Sequence, residues 1–176
     1  MSVIPYSVRD TSSFQLSKVY GTSYLDDNNV AFTTPNAYQN ISSGNWASYG
    51  KPQPETLFPH NGSELVKFPR NGIYNVSVSC VSQAPNPGNK TRRLLIETRV
   101  PNSSWTLVKN DRFFDTLGSS SDVVYLYTNA VSIVLDVVEG TELRALVNMD
   151  TTGLILGDQG NPNNSKLTSI SVFNVD

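Results

Sequence analysis

Three aromatic residues stand out as candidates for ligand chemistry: Tyr38, Trp46 and Tyr49, in a stretch from Thr33 to Pro59 that is rich in Asn, Ser, Gly and Pro. Aromatic rings on a polar loop can stack on sugar faces or anchor a protein partner at low entropic cost. The competing interpretation, which the pattern favours, is that Trp46 packs under its own loop as a local core. The stretch is either an elaborate surface loop or a flap of short strands.

Catalytic chemistry has little support in the residue pattern. A serine-type triad needs a histidine base, and the only histidine, His60, sits in a Pro-His-Asn-Gly turn without a nearby Gly-x-Ser-x-Gly motif. Two pairs of carboxylates, Asp111 with Asp115 and Asp26 with Asp27, are candidates for glycoside hydrolysis. They are better interpreted as turn or edge residues that pair with neighbouring cations, so the sequence predicts no enzyme.

Metal and thiol chemistry are also weakly indicated. The loops at Asp150 and Asp158 hold oxygen ligands of the kind that calcium takes, but neither follows the twelve-residue calcium-loop pattern. They are interpreted as ordinary aspartate turns, and no metal or cofactor is predicted. The single cysteine, Cys80, excludes an internal disulfide and a multi-thiolate zinc site.

One basic cluster is present, and it consists of Lys90, Arg92 and Arg93, with Arg99 nearby. It could dock on an acidic partner surface. A strand edge guarded by cations is the commoner explanation for such a cluster.

The composition is neutral and polar. The chain of 176 residues has 22 serines, 14 threonines and 18 asparagines, whereas charged residues make up only 16%. A net charge of −2 argues against nucleic-acid binding, which depends on attraction to phosphate. The opening residues show no charged-then-apolar signal segment, so no secretion is predicted. The most apolar stretch, from Val123 to Val138, is interrupted by polar residues, so no membrane span is predicted.

Turn-forming clusters divide the chain into short segments with an apolar period of two, which is typical of β-strands. About ten strands at intervals of roughly ten residues indicate a single domain with an all-β architecture, a sandwich, jelly roll or barrel. The predicted strands are Phe14–Tyr20, Glu64–Phe68, Tyr74–Cys80, Arg93–Val100, Trp105–Val108, Val123–Thr128, Val131–Val138, Leu143–Met149, Gly153–Leu156 and Leu167–Val175.

In two of these strands, the residues on the face opposite the core indicate what that face contacts. Tyr74–Cys80 alternates apolar residues with Ser and Asn, so its polar face could meet water or a sister subunit without burying charge. Val131–Val138 is apolar on both faces, which predicts burial on two sides.

The run Phe68–Val78, with its Gly-x-Tyr strand opening, resembles the tumour-necrosis-factor and complement-globular-head family. Val131–Val147, an apolar strand, a Gly-acidic turn and an alternating strand, resembles the same family, as does the terminal strand Leu167–Val175. The resemblance covers roughly 110 residues. It implies an antiparallel jelly-roll β-sandwich that forms a compact homotrimer. It also implies a binding or structural role rather than a catalytic one. The part before Pro59 fits the family poorly.

These observations lead to the hypothesis of a non-enzymatic virion surface protein of a bacterial virus. Residues 1–23 form an N-terminal arm or a first strand, and residues 24–176 form the jelly-roll domain. The trimeric module decorates a capsid or forms part of a fibre, spike or tail tip, and its partners are capsid or tail proteins and a host-surface glycan. The arm would anchor it through apolar residues: Val3, Ile4, Tyr6 and Phe14.

Several alternatives stay open. A carbohydrate-binding module or lectin would use Tyr38, Trp46 and Tyr49. A small icosahedral capsid subunit suits the size, although it would lack a basic arm to neutralise packaged RNA. The globular head of a bacterial surface-layer or spore-coat protein shares the fold.

Overall fold

The computed structural model describes residues 18–26, 29–59, 63–85, 90–115, 124–157 and 168–175. In this part of the chain the secondary structure is β-strand apart from turns and two short 3-10 segments, Ile41–Ser43 and Glu55–Leu57. No helix among these residues is long and apolar enough to cross a membrane.

Twelve strands lie within the described ranges. They are β1 (Tyr20–Leu25), β2 (Val30–Phe32), β3 (Tyr38–Asn40), β4 (Trp46–Gln53), β5 (Val66–Lys67), β6 (Gly72–Pro85), β7 (Lys90–Arg99), β8 (Thr106–Asp115), β9 (Val124–Val137), β10 (Glu142–Met149), β11 (Gly153–Ile155) and β12 (Ser169–Asn174).

The strands form two antiparallel sheets. In the first sheet β9, β6, β12, β1 and β4 are successive neighbours, and β11 and β2 extend the sheet beside the far end of β6. In the second sheet the order is β3, β10, β7 and β8, with β5 pairing the start of β10. This two-layer arrangement confirms the predicted jelly-roll sandwich.

The core lies between the sheets and follows from the period-two alternation. The first sheet contributes inward residues such as Val76 and Ile170, and the second contributes Leu94, Ile96 and Leu143, all of them fully buried. Because successive side chains point to opposite faces, these residues leave their polar neighbours on the outside of the sandwich.

One predicted turn is confirmed in detail. Glu139 and Gly140 connect β9 to β10, and Gly140 adopts a φ of 79°, a left-handed conformation that glycine tolerates best. Its N–H donates to the carbonyl of Phe68 at 2.8 Å, which ties the turn to the strand β5 region.

Two expectations need correction, and one alternative left open by the sequence is decided. In place of the two strands predicted at Val123–Thr128 and Val131–Val138, the structure has one continuous strand, β9 (Val124–Val137), which pairs with β6 along its whole length. The predicted two-sided burial is wrong for the single chain, because Val134 on the outer face is 62% exposed. The segment from 33 to 59 is a short-stranded flap rather than a loop, because it supplies β3 to one sheet and β4 to the other.

The N-terminal strand begins later than the spacing predicts. It starts at Tyr20 rather than Phe14, and residues 1–17 lie outside the described residues. An anchoring arm in that segment therefore stays a prediction.

Candidate functional site

The outer surface of the first sheet, on the strands β9, β6, β12, β1 and β4, is called the neutral face below. Across its middle, the pairing register aligns five hydroxyl-bearing residues from five strands: Ser132, Ser77, Ser171, Thr22 and Tyr49. We call this line the hydroxyl row. It is a direct consequence of the Ser-rich alternation in β6 and β12, because alternate residues of a strand share one face.

Four of the five hydroxyls in this row bond to one another in two pairs. The Oγ atoms of Ser77 and Ser132 lie 2.6 Å apart, and Thr22 Oγ1 lies 3.0 Å from Ser171 Oγ. Burying a polar group is costly when its hydrogen bonds are lost. Because each pair already makes one hydrogen bond, a protein surface can cover these four hydroxyls at a lower cost than unpaired ones.

A second line of residues runs beside the hydroxyl row and is called the apolar row. It contains Val134, Asn75, Phe173 and Tyr20, which are cross-strand neighbours in the same register. Val134, Phe173 and Tyr20 are exposed in the single chain. Contiguous exposed apolar residues rimmed by polar ones mark interaction surfaces rather than free surface.

An open groove borders the apolar row. It is lined by Tyr20, Tyr49, Lys51 and Phe173, together with Thr22 and Ser171 from the hydroxyl row. The aromatic walls are suited to receive a side chain from another protein surface.

Charge is sparse on this face. In its described strands the Lys, Arg, His, Asp and Glu residues are Lys51, on the edge strand β4, and Asp136, near the end of β9. Depletion of charge together with enrichment in aromatic residues is the composition of a protein–protein interface core.

The three aromatic residues singled out in the sequence do not form one cluster. Tyr38 lies on β3 in the second sheet, where its hydroxyl accepts a hydrogen bond from Arg93 Nη1 at 3.3 Å. Tyr49 is 67% exposed on the neutral face. Trp46 donates from Nε1 to the carbonyl of Ile41 at 3.0 Å and packs against the core, which is the local-core arrangement.

Two of the acidic candidates, Asp111 and Asp150, make ordinary structural interactions in the described part of the chain. Asp111 forms an ion pair with Lys109 at 3.3 Å. Asp150 Oδ2 accepts from the N–H of Thr91 at 2.7 Å. Among the described residues no group of three His, Cys, Asp or Glu side chains is arranged to hold a metal.

Several other candidates lie outside the described residues. They are Val3, Ile4, Tyr6, Phe14, Asp27, His60 and Asp158. Their assigned roles stay predictions.

The basic cluster is not an edge guard. β7 lies between β10 and β8, so it is an interior strand, and Arg92 is only 1% exposed. The Arg92 guanidinium stacks over the ring of Tyr127, 3.1 Å from its centroid. The sequence held the signal for this position, because Arg92 shares its face with the core residues Leu94 and Ile96.

Cys80 is buried on the inner face of β6. Burial raises the pKa of its thiol to about 12, and a hydrogen bond with Thr168 opposes that rise only in part. The thiol therefore stays protonated at neutral pH and is a poor nucleophile.

Comparison with known proteins gives a likeness in structure alone. No model of a known protein family matches the sequence, and no curated protein matches it either. Among solved structures, the chain is similar to Eiger TNF from S. frugiperda, with a TM-score of 0.61 at 10% identity over 90% of this chain and 93% of that chain. The chain therefore has the jelly-roll β-sandwich fold of the tumour-necrosis-factor type, as the sequence resemblance predicts.

Proposed function

We propose that this chain is a non-enzymatic structural module that assembles as a homotrimer through the neutral face. The observation that carries the proposal is the hydroxyl row beside the exposed apolar row. An internally hydrogen-bonded, charge-poor surface can be desolvated cheaply, and exposed aromatic and aliphatic residues gain from burial. A surface that stays in water gains nothing from hydroxyls that bond to one another or from exposed aromatic and aliphatic residues.

Closed cyclic assembly also deals with the sheet edges. The strands β4 and β9 lie at the two sides of the neutral face, where unpaired backbone groups of an edge strand invite pairing with other chains. A ring in which an edge of one copy covers the neutral face of the next would bury both features at once. The likeness in fold to a tumour necrosis factor supports a ring of three copies, since this fold is commonly trimeric.

The place of assembly that we propose is the surface of a bacterial virus particle, as a capsid decoration or as part of a fibre, spike or tail tip. The proposal is supported by the composition, which is neutral and rich in Ser, Thr and Asn. It is also supported by the burial of the single thiol, which protects it from reaction at an exposed site. In this proposal residues 1–17 attach the trimer to the particle through Val3, Ile4, Tyr6 and Phe14.

The anchoring proposal can be separated from the assembly proposal by one deletion. Removing residues 1–17 spares β1, which begins at Tyr20. We expect the truncated protein to keep the solution mass of the full chain and to fail to bind the parent particle in a sedimentation assay. Unchanged attachment of the truncated protein would refute the anchor.

A glycan-binding role is the second candidate. The specific observation in its favour is Tyr38, whose ring is half exposed beside Arg93 on the second sheet, far from the neutral face. Exposed aromatic rings next to hydrogen-bond donors are common in sugar-binding surfaces.

A further inference from the structure

A small cavity, called the basic cavity below, lies where residues 1–17 join the described part of the chain. Its lining comes from the approach to β1, the end of β4 and the turn before β6, and the residues are Lys18, Val19, Gln53, Pro54, Pro69 and Arg70. Its volume of about 160 Å³ is below the range of about 300–1,000 Å³ that is typical of sites for small organic ligands. The size therefore suits a single side chain.

The charges that line the basic cavity are all positive. Lys18 and Arg70 contribute them, and no Asp or Glu is among the lining residues. In the part of the chain that the structure describes, neither cation forms an ion pair, whereas Arg99, Lys109 and Arg144 each pair with a carboxylate. Two cations without a carboxylate are unusual in a chain whose net charge is −2.

Arg70 is held in place before any ligand binds. Its Nη2 donates to Asn174 Oδ1 at 2.7 Å, and its carbonyl accepts from the hydroxyl of Tyr74, a fully buried residue, at 3.2 Å. Its Nε is shielded from solvent and has no hydrogen-bond partner among the described residues. This cation has therefore lost part of its hydration without gaining a carboxylate in return, and an anion beside its Nη groups would compensate that loss.

The lining favours a carboxylate over a phosphate. Phosphate sites depend on several backbone N–H groups, at a helix N-terminus or in a nest, and Pro54 and Pro69 have none. Val19 and the two proline rings instead offer apolar surface to the methylene groups of an acidic side chain. The ammonium and guanidinium groups supply charge-assisted hydrogen bonds to its oxygens. A glutamate or aspartate side chain meets both requirements.

We propose that the basic cavity binds a carboxylate side chain of an acidic protein segment. The identity of the partner rests on the proposed function, in which residues 1–17 attach the trimer to a virus particle. Lys18 directly follows that segment, so the attached particle would lie next to the cavity. The acidic segment is therefore assigned to the particle protein that receives the arm, and the contact adds to the hold of the arm.

The test measures binding of a fluorescently labelled hexaglutamate peptide to the full chain, by anisotropy at low ionic strength. Hexaglutamine is the neutral probe, and inorganic phosphate is the competing anion. The variants are Lys18→Gln and Arg70→Gln. Lys18 is exposed, so its variant should fold even if Arg70→Gln, which loses the bond to Asn174, does not.

The matched control is Lys67→Gln. Lys67 is also exposed and lies on the other side of Pro69, in a neighbouring cavity that contains Glu139. The control removes the same charge from the same end of the molecule and leaves the basic cavity intact. It therefore separates a local contact from a general electrostatic attraction.

We expect the wild-type chain to bind hexaglutamate and not hexaglutamine. Arg70→Gln should weaken binding about tenfold, and Lys18→Gln about threefold because its ammonium group is exposed. Lys67→Gln should weaken it less than about 1.5-fold. No binding of hexaglutamate, an equal loss in Lys67→Gln, or tighter binding of inorganic phosphate than of the peptide would each overturn the proposal.

A variant that lacks Asp176 tests the remaining competitor. Asp176 follows Val175 and lies outside the described residues, and it carries the carboxylates of the end of the chain. Equal binding of hexaglutamate with and without Asp176 supports a carboxylate from another protein. Binding only in its absence would overturn the proposal, because the cavity would then serve the chain's own terminus.

Sedimentation with the parent particle separates this proposal from the proposed function. If the wild type binds hexaglutamate and does not attach to the particle, the basic cavity stands and the proposed place of assembly is wrong. If Arg70→Gln and Lys18→Gln lose the peptide and attach to the particle as the wild type does, the particle is not the source of the acidic segment, whereas the arm can still be its anchor.

Discussion

The two outer faces of this sandwich are built on similar strands and cover the same core, yet they differ sharply in charge. The neutral face aligns Ser77 and Ser132 in its middle, whereas the second sheet aligns Arg144 with Glu97 and Arg99 with Glu142. Covering ion pairs with protein costs several kcal/mol per ion before any compensation, while paired hydroxyls cost little. From this difference we infer that the neutral face is the one covered in the proposed assembly and that the outer face of the second sheet stays in water.

The largest effect is expected from placing a charge on the neutral face. Val134→Lys puts an ammonium group into the apolar row, where its direct cross-strand partner is Asn75 and the one carboxylate on the same face of β9 is Asp136. Burying an ammonium group in an interface is unfavourable even beside a carboxylate, because the charge loses its hydration. We expect the variant to have the mass of one chain, measured by light scattering after size exclusion.

The matched control is Leu107→Lys on β8 of the second sheet. Leu107 is 49% exposed, comparable with Val134, but it lies in the charged sheet. This control should keep the mass of the wild type. If both variants keep the wild-type mass, or both lose it, the contrast between the faces does not govern assembly.

A smaller effect on assembly is expected from Phe173→Ala. The side chain lies in the apolar row and forms one wall of the groove, so its truncation removes buried contact area without adding charge. We expect association to weaken by about 2 kcal/mol, so that dissociation appears on dilution. The measurement is mass against concentration, and an unchanged dilution curve would show that the groove is not covered by a sister chain.

A change on the second sheet should alter stability and leave assembly intact. Trp105→Ala removes the ring over which the guanidinium groups of Arg99 and Arg144 lie. We expect a loss of about 1–2 kcal/mol in the free energy of unfolding, with the solution mass unchanged. Denaturant unfolding gives the first quantity. A change in mass would contradict the assignment of this face to solvent.

The smallest effect at neutral pH concerns Cys80. Because the folded thiol has a pKa of about 12 against 9.0 for the free group, the unfolded chain loses this proton first as pH rises. The contribution to stability is full below about pH 9 and declines as pH rises towards 12. The free energies of unfolding of the wild type and Cys80→Ala are compared across this pH range. Their difference separates the contribution of the Cys80 thiol from those of other groups that titrate there. A parallel pH dependence in the two proteins would contradict it.

The accessibility of the Cys80 thiol distinguishes dissociation of the trimer from unfolding of the chain. Cys80 lies on the inner face of β6, behind the neutral face, so a folded single chain still hides it. A thiol reagent should therefore leave Val134→Lys unmodified. Rapid modification would mean that the substitution unfolds the chain and that its mass says nothing about the interface.

Much of the sandwich could be predicted from the sequence because it depends on local alternation. The pattern at Tyr74, Val76, Val78 and Cys80 defines an inward face whatever the partner strands are. The glycine turn before β10 and the terminal strand were accessible for the same reason. The arrangement of Arg92 against the core follows the same rule, although its charge argued for the surface.

The rest depends on pairing between distant strands, which alternation does not specify. Tyr38 and Tyr49 are close in sequence but lie in different sheets, because the 3-10 segment at Ile41–Ser43 comes between a strand of one sheet and a strand of the other. Likewise, the apolar outer face of β9 predicts that another surface packs against it. The sequence of the strand does not specify whether that surface belongs to the same chain or to another copy. The cavity that Lys18 and Arg70 line together is visible only once the fold is known, because the two residues are far apart in sequence.

Trimer assembly through the neutral face is tested most directly by the mass of the purified wild-type chain in solution over a wide range of concentration. We expect a mass near three times 19.3 kDa that does not change on dilution. A mass near 19.3 kDa throughout would contradict it, because the neutral face would then be free surface.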